Sequence, residues 1–285
     1  MILLDRIRSG ISSLPALRAE KPTPEVLDGF RNAQSLAYRC AVEIGRELRE
    51  GWTERQTADL MDTWLRDHGV RTFFHTSFAW FGERSRFDGI HDGPRGYGKF
   101  MPSSARVLMP GEVVILDTAP IVAGFAADIG FTFCKVPHDG LARARALLLE
   151  LRGWIPQLFA SGHRPGAIWK AVHERILSEG YDNCHRKYPL QALGHRLHGT
   201  SLGGLPGLTI PFSLQSYWSL LSRGLFPEVI SPWHSGSPLG LWAVEPHLGG
   251  AGFGAKFEEI LIVDESGARW LQEDPPHMNL PGGFY

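Results

Sequence analysis

The sequence predicts an α+β fold built as one domain, and three observations carry that prediction. Apolar residues recur at helical spacing in four long segments. Short apolar runs of strand length lie between and after them. No internal repeat, low-complexity tract or linker divides the 285 residues, which are enough to bury a sizeable core.

The first helix is expected over residues 24–50. Thr23 can cap it, Pro24 suits its first turn, and Ala33, Leu36, Ala37, Cys40, Ala41, Ile44 and Leu48 share one face before Gly51. Thr53-Glu54-Arg55-Gln56 is a capping box, in which the Thr hydroxyl and the Gln amide satisfy orphan N–H groups. The helix it opens should run to about His68, stop at Gly69, and pack on a sheet through Leu60, Met61, Trp64 and Leu65. Residues 70–104 are aromatic and then glycine-rich, and predict short strands linked by loops. EVVILD at 112–117 reads as a buried strand and AADIGFTFC at 126–134 as its return. Helices are expected at 139–160 and 165–179, separated by Ser161-Gly162. From 199 to 240 glycine, proline, serine and aromatics dominate without a period, as in a long functional connection. Strands return at 241–246, 256–263 and 268–271.

Composition narrows the function. Apolar residues make up 43% and charged residues 21%, which is globular. Lys+Arg is 29 and Asp+Glu is 30, a net charge of −1, so the chain lacks the basic excess that nucleic acid or an anionic membrane surface would call for. Three dispersed cysteines, Cys40, Cys134 and Cys184, make neither a disulfide framework nor a thiolate zinc pattern. MILLDRIRSG is too short an apolar run for a signal peptide, and no stretch reaches the roughly 18 apolar residues of a membrane span. A soluble, cytoplasmic protein in a reducing compartment is expected.

The chemistry is marked by ionisable residues inside apolar runs. Asp117 closes VVIL, Asp128 interrupts AA-IGFTF, Glu245 follows LWAV, Glu258 and Glu259 sit inside KF-ILIV, and His195 stands between LG and RL. A buried carboxylate is costly unless paired or metal-bound, so several together suggest a shared cation. If the chain reverses at Val122–Ala123, Asp117 and Asp128 become cross-strand partners with carboxylates about 5 Å apart; Gly124 points to a longer loop and an approximate pairing. Two like charges that close would raise one pKa strongly. A divalent ion removes the conflict, and oxygen plus imidazole ligands suit Mn, Co, Fe or Zn. Alternation alone does not choose between Glu258 and Glu259, which face opposite sides of a strand.

Taken together, these motifs resemble the "pita-bread" metallopeptidases, the family of methionine aminopeptidase, Xaa-Pro aminopeptidase, prolidase and creatinase. PGEVVILD is similar to the family strand that ends in its first metal Asp, and AGFAADIGFTF to the hairpin that carries the second, eleven residues on. LGHRL is similar to its Gly-His motif, AVEPHL to its "EP" strand, and AKFEEILIVDESG to its last strand. The resemblance covers about 27–272. It implies a curved antiparallel sheet covered by helices, with two divalent ions held by Asp117, Asp128, His195, Glu245 and Glu258. Asp117 would chelate one ion, Asp128 and Glu258 would bridge both, and His195 and Glu245 would complete the other. The family pattern favours Glu258 as the ligand and turns Glu259 toward a partner outside the site. The implied reaction is attack of a metal-bridged hydroxide on an N-terminal peptide bond or a related small amide, with Glu245 moving the proton.

The sequence also departs from that pattern. Lys99 stands where the family carries a His, eighteen residues before the first Asp, and Leu202 stands where a second His is usual. A Lys ammonium donates and does not accept. His198 lies nearby and is a candidate replacement; His91, His75, His234 and His247 are further imidazoles placed in loops. Glu245, His198, Lys99 and His91 are the catalytic candidates. Ordinary aminopeptidase action is thereby less secure than hydrolysis itself, and a non-peptidic C–N substrate or a lapsed binding module on the same fold are the alternatives. The aromatic insertion between His195 and Glu245, with Phe212, Tyr217, Trp218, Phe226, Trp233 and Trp242, reads as a lid, as a homodimer contact or as plain packing. The extra N-terminal domain of the larger relatives is not expected here.

Overall fold

A computed structural model describes residues 22–89, 98, 100–198 and 228–279. Thr23 opens helix α1, Pro24–Glu47, its hydroxyl accepting from the Val26 N–H at 3.4 Å. The predicted capping box opens α2, Glu54–Asp67: Gln56 N–H donates to Thr53 Oγ1 at 3.0 Å and Thr53 N–H to Gln56 Oε1 at 2.9 Å. The apolar stripes of both helices, including Ala37, Ala41, Met61 and Leu65, pack on one sheet through Val114, Leu116, Phe131 and Phe133.

That sheet is antiparallel. Strand β1 is Thr72–Phe81, one ten-residue strand where the sequence suggested short pieces. It follows β2, Val113–Val122, through two register shifts that flank His75. Each extra residue keeps the strand paired while changing which way its side chains point. Strand β2 also pairs with β3, Phe125–Ala126, and with β4, Ile129–Cys134. The chain reverses over Ala123 and Gly124, both with positive φ (49° and 87°), in a two-residue turn that suits a right-twisted hairpin. The register is therefore two residues from the predicted one: Asp117 faces Gly130. Asp128 lies in the gap between β3 and β4, diagonal to Asp117. The predicted cross-strand pair is corrected on this point, because Ala123 accepts a left-handed conformation and moves the turn one residue on.

Helices α3, Asp139–Ala160, and α4, Pro165–Ser178, match the sequence reading. They share a core with two further antiparallel sheets through Leu147, Leu151, Ile155, Ile168, Trp242 and Leu261. One sheet runs β10 (Phe253–Lys256), β9 (His247–Gly250), β5 (Asp182–Asn183); the other runs β12 (Gly267–Trp270), β11 (Glu259–Asp264), β8 (Gly240–Val244), β6 (Gly194–Leu197), β7 (Val229–Ile230). The run expected as one strand at 256–263 is broken at Phe257–Glu258. There a Gly130–Glu258 bridge joins it to the first sheet. No helix among the described residues is long and apolar enough to cross a membrane. Phe212, Tyr217, Trp218 and Phe226 of the aromatic insertion lie outside the described residues, whereas Trp242 is a core residue of β8.

Candidate metal centre

The chemically marked residues sit where strands meet or their ladders stop. Asp117 lies in mid-β2, facing Phe78 on one side and Gly130 on the other. His195 follows Gly194 on β6, and the glycine is required by proximity: a Cβ there would lie 2.3 Å from the Ala243 carbonyl oxygen of β8. Glu245 is the first residue past β8, its N–H donating to the Leu193 carbonyl at 2.8 Å. Glu258 sits at the break between β10 and β11; its N–H donates to Gly130 O at 3.3 Å, and its carbonyl accepts from the Tyr38 hydroxyl at 2.8 Å. The carboxylates of Asp117, Glu245 and Glu258, and that of Asp128 between β3 and β4, are all buried.

Asp128 stands between two imidazoles. His75 Nε2 lies 3.1 Å from Oδ1 and His195 Nε2 lies 3.1 Å from Oδ2. His75 Nε2 is also 3.6 Å from Asp117 Oδ1. In both rings Nδ1 faces a backbone carbonyl, Thr76 O at 2.9 Å and Arg196 O at 3.4 Å. A ring that donates from Nδ1 presents its Nε2 lone pair to the carboxylate, an arrangement that calls for a proton or a cation between them. Phe74 stacks on His195 at 5.0 Å and fixes the ring plane. On the other side of the cluster, the Lys256 ammonium donates to Asp117 Oδ2 at 2.6 Å, Glu245 Oε2 at 2.6 Å and Glu258 Oε2 at 2.9 Å.

The pKa directions follow from crowding. Burial works against a charged His75, but Asp128 and Asp117 outweigh it and raise the ring to about 9. His195 moves up in the same way, burial opposing and the Asp128 hydrogen bond winning. Asp128 is held low by these two rings despite its burial. Glu258 is pushed well above the carboxylate range by burial and then by Asp128 and Glu245. Glu245 rises mainly through burial. Lys256 is kept charged, since its three carboxylates more than offset the cost of burial.

Three overlapping groups place their ligand atoms within 4.8 Å of one another: His75, Asp117 and Asp128; Asp128, His195 and Glu258; and Asp117, Glu245 and Glu258. Oxygen plus imidazole donors, with Nδ1 already engaged and Nε2 turned inward, fit a divalent transition ion in the Asp128, His195 and Glu258 group. In the all-carboxylate group the same three side chains already hold Lys256.

The structure brings Asp117, Asp128, His195, Glu245 and Glu258 together. It turns Glu259 the other way, onto Arg152 at 2.6 and 2.9 Å and His277 at 2.6 Å. His198 meets Glu228 at 2.5 Å and is outside the three converging groups. His91 and Lys99 lie outside the described residues. His75 is not a loop imidazole but a buried β1 residue, aimed inward by the bulges around it. His247 is likewise on a strand, bound to the Tyr188 hydroxyl at 2.8 Å, and His234 is buried against the Val229 carbonyl at 2.8 Å. Sequence reasoning missed His75 and Lys256 at the site. Lys256 carries no usable signal along its own run, because the strand breaks at Phe257–Glu258 and the two-residue period does not carry across the break to Glu258.

Comparison with known proteins agrees with this geometry. The family model described as metallopeptidase family M24 matches residues 28–265. Among solved structures, the chain is similar to the X-Pro aminopeptidase of Thermotoga maritima MSB8, at 19% identity and a TM-score of 0.64, over 95% of this chain and 65% of that one. It is similar to a recombinant prolidase from Thermococcus sibiricus, at 17% identity and a TM-score of 0.63, over 96% and 64%. It is similar to the prolidase of Pyrococcus furiosus, at 17% identity and a TM-score of 0.63, over 96% and 68%. The chain thus spans just under two thirds of the length of the first two structures. No curated protein matches it in sequence. The fold is the pita-bread fold expected from the motifs.

Proposed function

Because the chain belongs to metallopeptidase family M24, we propose that it is a metal-dependent hydrolase of the aminopeptidase type that opens an N-terminal peptide bond or a related small amide. Four buried carboxylates and two imidazoles, converging in three overlapping groups whose ligand atoms lie within 4.8 Å of one another inside each group, carry that reading. No structural strut needs so much like charge in one place.

Asp128, His195 and Glu258 would hold a divalent ion, with His75 facing Asp128 from the opposite side. When bound, such an ion polarises the scissile carbonyl and acidifies the attacking water. Glu245 holds a proton more readily than an exposed carboxylate does, because it is buried. Its place at the edge of the cluster suits it to pass that proton to the leaving nitrogen. Tyr38 and the Gly130 bridge fix the backbone of Glu258, and Phe74 fixes the plane of His195. The two-ion arrangement implied by the family resemblance would draw on Asp117 and Glu245 as further ligands. Mn, Co, Fe or Zn would suit the donors. Three free, buried cysteines support a reducing, cytoplasmic setting. One observation favours a second reading, a binding module without catalysis: Lys256 already satisfies three of the four carboxylates.

The deciding experiment is elemental analysis of the purified chain, followed by a panel of dipeptides and small amides with Mn or Co added. At least one bound ion per chain is expected, with turnover that a chelator abolishes and added metal restores. Turnover that survives complete metal removal overturns the reading, as does a chain that takes up no divalent ion.

A further inference from the structure

We propose, building on the metal-dependent reading above, that Lys256 is a built-in second cation: its ammonium takes the place among Asp117, Glu245 and Glu258, and the centre holds one divalent ion, on the Asp128, His195 and Glu258 side. An ammonium has three N–H donors. Here three carboxylate oxygens take them at 2.6, 2.6 and 2.9 Å, so every donor is used. These are the three side chains on which an all-carboxylate second ion would depend. Ammonium and ion would draw on the same three carboxylates and carry the same sign of charge, so each disfavours the other.

The lysine is built into this position from several directions. Its stem crosses Gly130, the residue facing Asp117 on β4. A Cβ at Gly130 would lie 2.4 Å from Lys256 Cε and 3.2 Å from Cδ and Cγ, so the glycine leaves the channel that the stem fills. Thr132 fastens the lysine backbone on both sides: Lys256 N–H donates to Thr132 Oγ1 at 2.9 Å, and that hydroxyl donates to Lys256 O at 2.6 Å. The Tyr188 ring lies 5.6 Å from Nζ, within reach of a cation–π attraction. The residue is only 3% exposed. The other half of the cluster is built differently, with Asp128 facing two imidazole nitrogens. Glu258 divides between the halves, Oε2 on Lys256 and Oε1 4.0 Å from His195 Nε2.

The test loads the chain of residues 1–285 with Mn(II), counts bound ions by elemental analysis and records the electron paramagnetic resonance spectrum. The wild type is expected to hold one ion per chain with the signal of an isolated Mn(II). Lys256→Met should double the count and give a spin-coupled pair, whereas Lys256→Arg, which keeps the cation, should hold one. Two ions in the wild type, or a coupled-pair spectrum, overturn the inference and leave the metal-dependent reading standing. An unchanged count of one in Lys256→Met overturns it too. No ion in the wild type overturns the metal-dependent reading and this inference with it. Should Lys256→Met fail to fold, the wild-type count and spectrum decide by themselves.

Discussion

Glu258 and Glu259 are neighbours in sequence, both are buried, and both accept from cationic side chains. They differ in charge balance. Glu259 has its own guanidinium, Arg152, which also donates to the Gln272 and Glu273 carbonyls at 2.9 and 3.2 Å, and it has His277 beside it. Glu258 shares a single ammonium with Asp117 and Glu245, and Asp128 adds a fourth negative charge next to it. A buried carboxylate that is fully matched is a fastening for the fold. One that is buried and outnumbers its cations is costly unless another cation arrives, and that imbalance separates a site from a strut.

Substitutions at these two neighbours test the contrast most strongly. Glu258→Gln should lower turnover by about a thousandfold or more, the scale expected when the reacting electrostatics lose a charge. It should also abolish ion uptake, read by elemental analysis. Its metal-free fold should be no less stable in urea, because the substitution relieves repulsion. Loss of stability with full ion uptake would reverse the assignment. On the other side, Arg152→Met leaves Glu259 buried without its guanidinium and should cost about 3–5 kcal/mol in urea unfolding. The ion count per folded chain should be unchanged. A fall in ion count with stability intact would make Glu259 part of the site.

The sequence reveals the acid half of this contrast better than the basic half. Helix starts at Thr23 and Thr53 are legible because capping chemistry is local, and Asp117, Asp128, Glu245 and the Glu258–Glu259 pair stand out as carboxylates in apolar runs, the choice of Glu258 within that pair coming from the family resemblance alone. Lys256 was not legible, since a lysine at the head of a strand reads as a solvated flank until the strand across it is known to carry Gly130. His75 was hidden by two bulges, which break the alternation that would have shown which way its side chain points. The hairpin register is only approximate from the sequence, which points to a longer loop around Gly124, because the positive φ of Ala123, a residue with a Cβ, is not marked there. In each case the missing information was a contact or a conformation across strands, which spacing along one strand does not encode.

Histidines sharpen the same contrast with a smaller effect. His75, among carboxylates, is raised to about 9, whereas His234, buried against Arg196 and Glu228, is pushed down to about 4 chiefly by burial. His234 therefore stays neutral in the folded chain while an exposed imidazole in the unfolded chain protonates below its ordinary value of 6.5. Between those two values the unfolded state binds more protons, so stability rises with pH. The contribution is complete above about pH 6.5 and is lost as pH falls toward 4, to the extent of roughly 3 kcal/mol. Urea midpoints measured from pH 7 to pH 4.5 should fall more steeply in the wild type than in His234→Gln, which keeps a donor for the Val229 carbonyl and has nothing to protonate. Parallel slopes for the two proteins would mean that His234 takes up its proton within the fold, and that Glu228, on the same side, supplies the negative charge to hold it.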